Sequence, residues 1–187
     1  NPRGSTSYGK AFRYANQADW GGKDYQDLMA GVDHVIALGV ADPQRLAVAG
    51  WSYGGYMTAW VITQTRRFRA ASVGAGVSNI LSQAGTSDIR SNKIEAFGAP
   101  WEDPGEYLKR SPLLHLKGVA TPTLILHGEA DERVPISQGY ELYHALRRVG
   151  VPTRMVVYPR APHSPAEPKF VRDIHEKLLE WMDRYVR

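Results

Sequence analysis

The apolar positions along the chain change their period several times, and each change marks an element. From Asp24 to Leu38, Leu28, Val32, Val35 and Ile36 recur at spacings of three and four, which predicts an amphipathic helix. Gly39 stops it, and Asp42-Pro43 makes the turn that follows. Leu46-Ala47-Val48-Ala49 is a short continuous apolar run ending at Gly50, the pattern of a buried strand in a parallel sheet. Tyr53 to Gln64 predicts a helix, Ala70 to Gly74 a second strand, and Thr123-Leu124-Ile125-Leu126-His127 a third. Ile136 to Val149 predicts a helix with Ile136, Tyr140, Tyr143 and Leu146 inward and Gly150 as its stop. Thr153 to Tyr158 is a fourth strand, and Phe170 to Val186 a closing helix with Val171, Ile174, Leu178 and Trp181 along one face. Residues 1–22 read as a loop with one short helix, and residues 75–118 as short helices over a cleft. Strands alternating with helices predict an α/β class with a parallel sheet covered on both faces, in a single domain over 1–187.

Composition narrows the class. The chain has 187 residues, 43% hydrophobic and 22% charged, enough apolar material for one soluble core. No apolar run approaches the ~18 residues of a membrane span. There is no cysteine, which excludes disulfides and thiolate metal sites. The net charge of +4 comes from scattered Lys and Arg, so neither nucleic acid nor a membrane is an expected partner. The chain opens Asn1-Pro2-Arg3-Gly4-Ser5, with no initiator Met and no signal pattern. The chain reads like the middle of something longer, and the expected setting is cytoplasmic.

The sharpest chemical signal is Gly50-Trp51-Ser52-Tyr53-Gly54-Gly55, placed where a short strand should turn into a helix. A serine on such a turn has a strained backbone and projects its hydroxyl into the open. Strand and helix approach closely there, so the residues two before and two after should be small, as Gly50 and Gly54 are. A serine nucleophile needs a base, and the base an orienting acid. On this kind of sheet the chain order is Ser, acid, His, each at the carboxyl end of a strand. Asp131 and His163 occupy the two loops that follow the third and fourth strands. Glu129 and Glu132 are rival acids that read more simply as loop charges. His34, His144 and His175 fall on helices, His127 on a strand end and His115 in the irregular region, which leaves His163.

Three further patterns fail on inspection. Gly4-x-x-x-x-Gly9-Lys10 imitates a phosphate loop but continues with Ala11 and has no preceding strand. Gly74-Ala75-Gly76 lacks the later glycine of a dinucleotide fingerprint, and His175-Glu176 lacks the second histidine of a zinc helix.

Taken together, Asn1-Pro2-Arg3-Gly4-Ser5 with Tyr8-Gly9, Asp19-Trp20-Gly21-Gly22, Asp24, Asp27, Ala30-Gly31-Val32-Asp33, the Ser52 elbow, Pro100-Trp101-Glu102, Ser111-Pro112, His127-Gly128, Asp131, Arg133-Val134-Pro135, Tyr158-Pro159 and His163 resemble the catalytic domain of the prolyl oligopeptidase family of serine hydrolases. The Trp-Ser-Tyr elbow and the Asp-x-Arg-Val-Pro loop look most like its acylaminoacyl peptidase and dipeptidyl peptidase branches. The resemblance implies that residues 1–187 are the C-terminal portion of a catalytic domain with an α/β-hydrolase fold whose first strands are missing here. It implies a triad of Ser52, Asp131 and His163, the Tyr53 backbone N–H as an oxyanion donor, Arg133 on the substrate side, and no cofactor or metal. Val77, Ile80, Ile94 and Phe97 are candidate pocket walls.

The chain departs from the family pattern in two places. It carries neither the family's His-Gly-Gly-Pro loop nor a tyrosine-bearing equivalent, the source of a second oxyanion donor. The common Glu-Gly before the histidine is Ala161-Pro162. The expected function is hydrolysis of acyl bonds in short peptides or small esters. The alternatives are a carboxylesterase of small esters only, or a catalytically impaired fragment or assembly module. The apolar Leu46–Ala49 edge is expected to pair with an upstream segment or a second copy of the chain.

Overall fold

The computed structural model describes residues 1–89 and 95–187. Ile94, one of the candidate pocket walls, lies outside the described residues. Helices α1 (Lys10–Arg13) and α2 (Lys23–Ala37) precede strand β1 (Ala47–Trp51), and α3 (Tyr53–Gln64) leads to β2 (Ala70–Gly74). Among the described residues, short helices α4 (Ile80–Thr86) and α5 (Gly105–Lys109) and a 3-10 turn (Pro112–His115) lie between β2 and β3 (Thr123–Gly128). Helix α6 (Ser137–Arg148) leads to β4 (Thr153–Tyr158), and α7 (Pro168–Val186) closes the chain. Among the described residues the strands form one parallel sheet in the order β1-β2-β3-β4.

The two-residue period of the strands divides the core. Ala71 and Val73 of β2 and Ile125 of β3 pack with Ala59 and Ile62 of α3 and Leu142 and Leu146 of α6. Their alternates Ala70, Leu124 and Leu126 pack with Tyr158 and with Trp181 of α7. β2 is buried at every position, as a strand covered on both faces must be. Full burial of a side chain such as Leu124, Ile125 or Leu146 contributes about 1.5–3 kcal/mol. A third cluster joins α3 to α2 and to the segment between β2 and β3 through Tyr56, Trp60, Ile80 and Tyr107.

Three helical faces differ from the sequence expectation. In α6 the inward stripe is Gln138, Gly139, Leu142 and Leu146, while Tyr140 is exposed. The reason is Gly139, where a Cβ would come within 2.8 Å of the His127 ring and 2.9 Å of Met155 Cε. The helix lies so close to the sheet there that only the glycine side can face it. Val35 of α2 and Val171 of α7 also stand at the solvent edge rather than inside.

Candidate active site

All four strands are parallel, so their carboxyl ends share one edge of the sheet, and the loops leaving β1, β3 and β4 meet there. Ser52 is the single residue between β1 and α3. Its backbone has φ 59 and ψ −117, a region that costs a non-glycine residue about 1–3 kcal/mol. The Ser52 N–H is held by the Gly74 carbonyl at 2.9 Å, and its carbonyl accepts the Tyr56 N–H of the first turn of α3 at 2.9 Å. Ser52 is the N-cap of α3, yet its side chain makes no capping hydrogen bond. The hydroxyl instead lies 2.8 Å from His163 Nε2.

The glycines around the elbow do not all serve one purpose. A Cβ on Gly50 would lie 2.4 Å from the backbone of Gly54, so strand and helix do nearly collide. Gly54 itself has open space where a Cβ would be, which corrects the expectation that both motif glycines are sterically required. The second close approach is at Gly55, whose Cβ would meet the Gly74 carbonyl at 2.4 Å.

His163 lies on the loop after β4, and its Nδ1 is 2.8 Å from Asp131 Oδ2. Asp131 is buried on the loop after β3, and its other oxygen accepts the Val134 N–H at 2.8 Å. With Asp131 accepting at Nδ1, the imidazole presents an unprotonated Nε2 to the serine hydroxyl. The rival acids take other positions. Glu129 accepts the Arg160 N–H at 2.9 Å, and Glu132 is exposed.

Three contacts that the sequence did not signal hold the histidine loop. The Trp51 indole N–H donates to the His163 carbonyl at 2.7 Å. The Ala161 carbonyl accepts the Ala130 N–H at 3.0 Å, which ties the histidine loop to the aspartate loop. Gly128 packs directly beneath, where a Cβ would lie 2.4 Å from the Ala161 oxygen. Ala161-Pro162, in place of the family's Glu-Gly, therefore still delivers the ring to Ser52.

His127 is fully buried beside the aspartate. Its Nε2 donates to the Val134 carbonyl at 2.8 Å and stands 3.6 Å from Asp131 Oδ2. Burial pushes its pKa down, so it is neutral. A second buried acid, Asp24 in the first turn of α2, accepts the Tyr53 hydroxyl through Oδ2 and the Tyr25 N–H through Oδ1, the latter at 2.8 Å. Asn16 donates to the Tyr53 oxygen at 3.2 Å. Burial raises the pKa of both Asp24 and Tyr53.

The remaining site candidates are dispersed. The Tyr53 backbone N–H is at the first position of α3, directly after Ser52, among the helix-start donors that have no intrahelical acceptor. Arg133 forms an exposed ion pair with Asp88, Nε to Oδ1 at 2.5 Å. Val77 and Ile80 are buried in the α3 core cluster, at 4% and 0% exposure. Phe97 is half-buried against Trp20 and Tyr107. An open cavity of about 800 Å³ lies between Tyr53, Trp20, Asn16 and residues 1–8, and none of Ser52, Asp131 and His163 is among its lining residues. Among the described residues no His, Asp and Glu cluster could hold a metal, and no helix is long and apolar enough to cross a membrane.

The comparisons with known proteins agree with this architecture. The chain is 41% identical over its full length to an uncharacterized peptidase, YuxL, of Bacillus subtilis, covering 29% of that protein. It is 34% identical over its full length to the acylamino-acid-releasing enzyme of Arabidopsis thaliana, covering 26% of it. The solved structure of Pyrococcus horikoshii acylaminoacyl peptidase superposes with a TM-score of 0.95 at 30% identity, over 100% of this chain and 31% of that one. The chain thus spans less than a third of the length of these relatives, and its fold is that of an α/β-hydrolase domain in part. The family model for the prolyl oligopeptidase peptidases matches residues 1–187, and the chain belongs to that family.

Proposed function

We propose that this chain carries the catalytic centre of a serine hydrolase that cleaves acyl bonds in short peptides or small esters. The observation that carries the reading is the His163 ring, set between Ser52 Oγ and Asp131 Oδ2 at 2.8 Å on each side. In the reaction, Ser52 Oγ attacks the substrate carbonyl carbon and its proton passes to His163 Nε2. The carbonyl π pair moves onto oxygen, and the Tyr53 N–H stabilises that oxyanion at the start of α3, where the helix dipole favours negative charge. Collapse breaks the acyl–leaving-group bond, and the leaving amine or alcohol takes the proton from Nε2. Water then attacks the acyl-enzyme, gives its proton to His163, and the second collapse returns the proton to Ser52 and releases the acid. Asp131 stays ionised throughout, holding the tautomer and stabilising the imidazolium.

The relatives' names, a peptidase of Bacillus subtilis, an acylaminoacyl peptidase and an acylamino-acid-releasing enzyme, favour peptides as substrates. Arg133, whose ion pair with Asp88 is exposed, is the residue we propose to meet the charged end of a short peptide. Val77 and Ile80 would bound an acyl pocket only through a shift of the core that exposes them, whereas Phe97 is already partly exposed. Among the described residues β1 pairs only with β2, so we also propose that its outer edge associates with further chain or a second copy. A monodisperse 20.8 kDa species by light scattering would refute self-association.

The test is hydrolysis of an activated ester and of an anilide with the same acyl group, by the protein and by Ser52→Ala. The reading expects ester hydrolysis that Ser52→Ala abolishes. An ester rate that survives this change would remove Ser52 as the nucleophile. Anilide cleavage separates a peptidase from a carboxylesterase.

A further inference from the structure

We propose that Asp24 is a positioning residue: through the Tyr53 hydroxyl it fixes the Tyr53 peptide N–H where the oxyanion forms, an inference that rests on the serine-hydrolase reading above. The argument begins with an uncapped helix. An N-cap side chain that bonds the first turn is worth about 1 kcal/mol to a helix. Ser52 occupies that position in α3, but its hydroxyl faces His163 and caps nothing. Its backbone is also held in a costly conformation. The helix start that must present the Tyr53 N–H to a developing charge therefore has no side-chain cap of its own.

The Tyr53 side chain supplies the missing anchor. Its ring meets Trp20 edge-on at 4.9 Å and Tyr56 at 5.4 Å. Its hydroxyl donates to Asp24 and accepts from Asn16 Nδ2. Ring and tip are both held, so the backbone of the same residue has little freedom left. Asp24 has only 1% of its surface exposed. A carboxylate so placed is costly unless well bonded, and such groups normally pair with a cation. Among the described residues Asp24 has no Lys or Arg partner in an ion pair. Its acceptors are used by the Tyr53 phenol at Oδ2 and the Tyr25 N–H at Oδ1. A charged group placed at this expense on a phenol, one residue from the nucleophile, does more for the geometry of α3 than an apolar contact would. An apolar neighbour could bury the ring but could not fix its rotation or depth.

The test uses Tyr53→Phe, which keeps the ring and removes the hydroxyl, and Asp24→Asn, which keeps the shape and an acceptor but removes the charge. A fluorophosphonate probe titrates Ser52, so every rate refers to folded, competent sites. The phosphoryl oxygen of its adduct also occupies the oxyanion position, so the ³¹P resonance reports the hydrogen bonds there. For Tyr53→Phe the expected result is a fall in ester kcat of about 10- to 100-fold per titrated site, with KM within about two-fold. The adduct resonance should be displaced, and Asp24→Asn should lie between this variant and the unmodified protein in both readouts. A lowered melting temperature with unchanged kcat per site and an unchanged ³¹P shift would mean that the Asp24–Tyr53 bond only joins α2 to α3, and the proposal would fall alone. No labelling of Ser52 in the unmodified protein would overturn the hydrolase reading, and this inference with it.

Discussion

Gly128→Ala is a direct test of how the histidine loop is held. Gly128 is the last residue of β3, three residues before Asp131. A methyl group there would lie 2.4 Å from the Ala161 carbonyl oxygen and 2.7 Å from that of Pro162. Carbon and carbonyl oxygen rest no closer than about 3.3 Å, so the shortfall is on the order of 1 Å. The obstructing atoms are backbone, and no rotamer change relieves them. Ala161 is itself buried and bonded to Ala130, so the displacement passes along the chain to Pro162 and His163. A shift of about 1 Å takes His163 Nε2 out of hydrogen-bond reach of Ser52, a loss of roughly 10² in rate. Overpacking of this kind costs about 1–3 kcal/mol of stability, which a folded domain of this size survives. The assay is ester kcat per fluorophosphonate-titrated site, with a thermal melt on the same sample. A kcat within about three-fold of the parent, in a variant whose melt is also unchanged, would refute the view that this contact sets the histidine.

Three other outcomes follow from the geometry. Gly54→Ala should raise stability by up to about 1 kcal/mol in chemical denaturation, since its Cβ meets open space and alanine is the better helix residue. On the proposed mechanism, Trp51→Phe removes the donor to the His163 carbonyl and should lower ester kcat by about ten-fold with little change in KM, read by steady-state kinetics, as a lost hydrogen bond of about 1.5 kcal/mol would if it holds the proposed base in place. Asp27 is gripped by the Arg3 side chain and backbone, chiefly through the side-chain hydrogen bond, which lowers its pKa from 3.8 to about 2. A carboxylate depressed in the folded state contributes stability that is fully present above its unfolded pKa and is lost as pH falls through the folded one. The gap in melting temperature between the protein and Asp27→Asn should therefore be full at pH 7 and close between pH 3.8 and about 2.

The boundary between what the sequence determined and what the tertiary structure decided runs between local and through-space causes. Period and punctuation are local. The ends of α3, β2 and β4 fall where Tyr53–Gln64, Ala70–Gly74 and Thr153–Tyr158 were read, because glycines, prolines and changes of period act on their neighbours along the chain. The meeting of the loops that carry Ser52, Asp131 and His163 was legible for a related reason. In an all-parallel sheet every strand delivers its following loop to the same edge, so a loop's place in the chain gives its place in the site. The other features depend on surfaces that exist only after folding. A spacing of three and four narrows the buried stripe of α6 without choosing it; the choice came from how closely Gly139 passes His127. The glycines that matter near Ser52 are those that face another backbone, Gly50 and Gly55, and the motif alone did not separate them from Gly54. Asp24 reads in the chain as an ordinary acidic helix start, and its burial against Tyr53 requires α2 to lie across α3. Trp51 reads as an elbow residue, and its indole reaches a carbonyl 112 residues away. Such contacts arise between segments distant in sequence, where close packing rather than periodicity selects the partner.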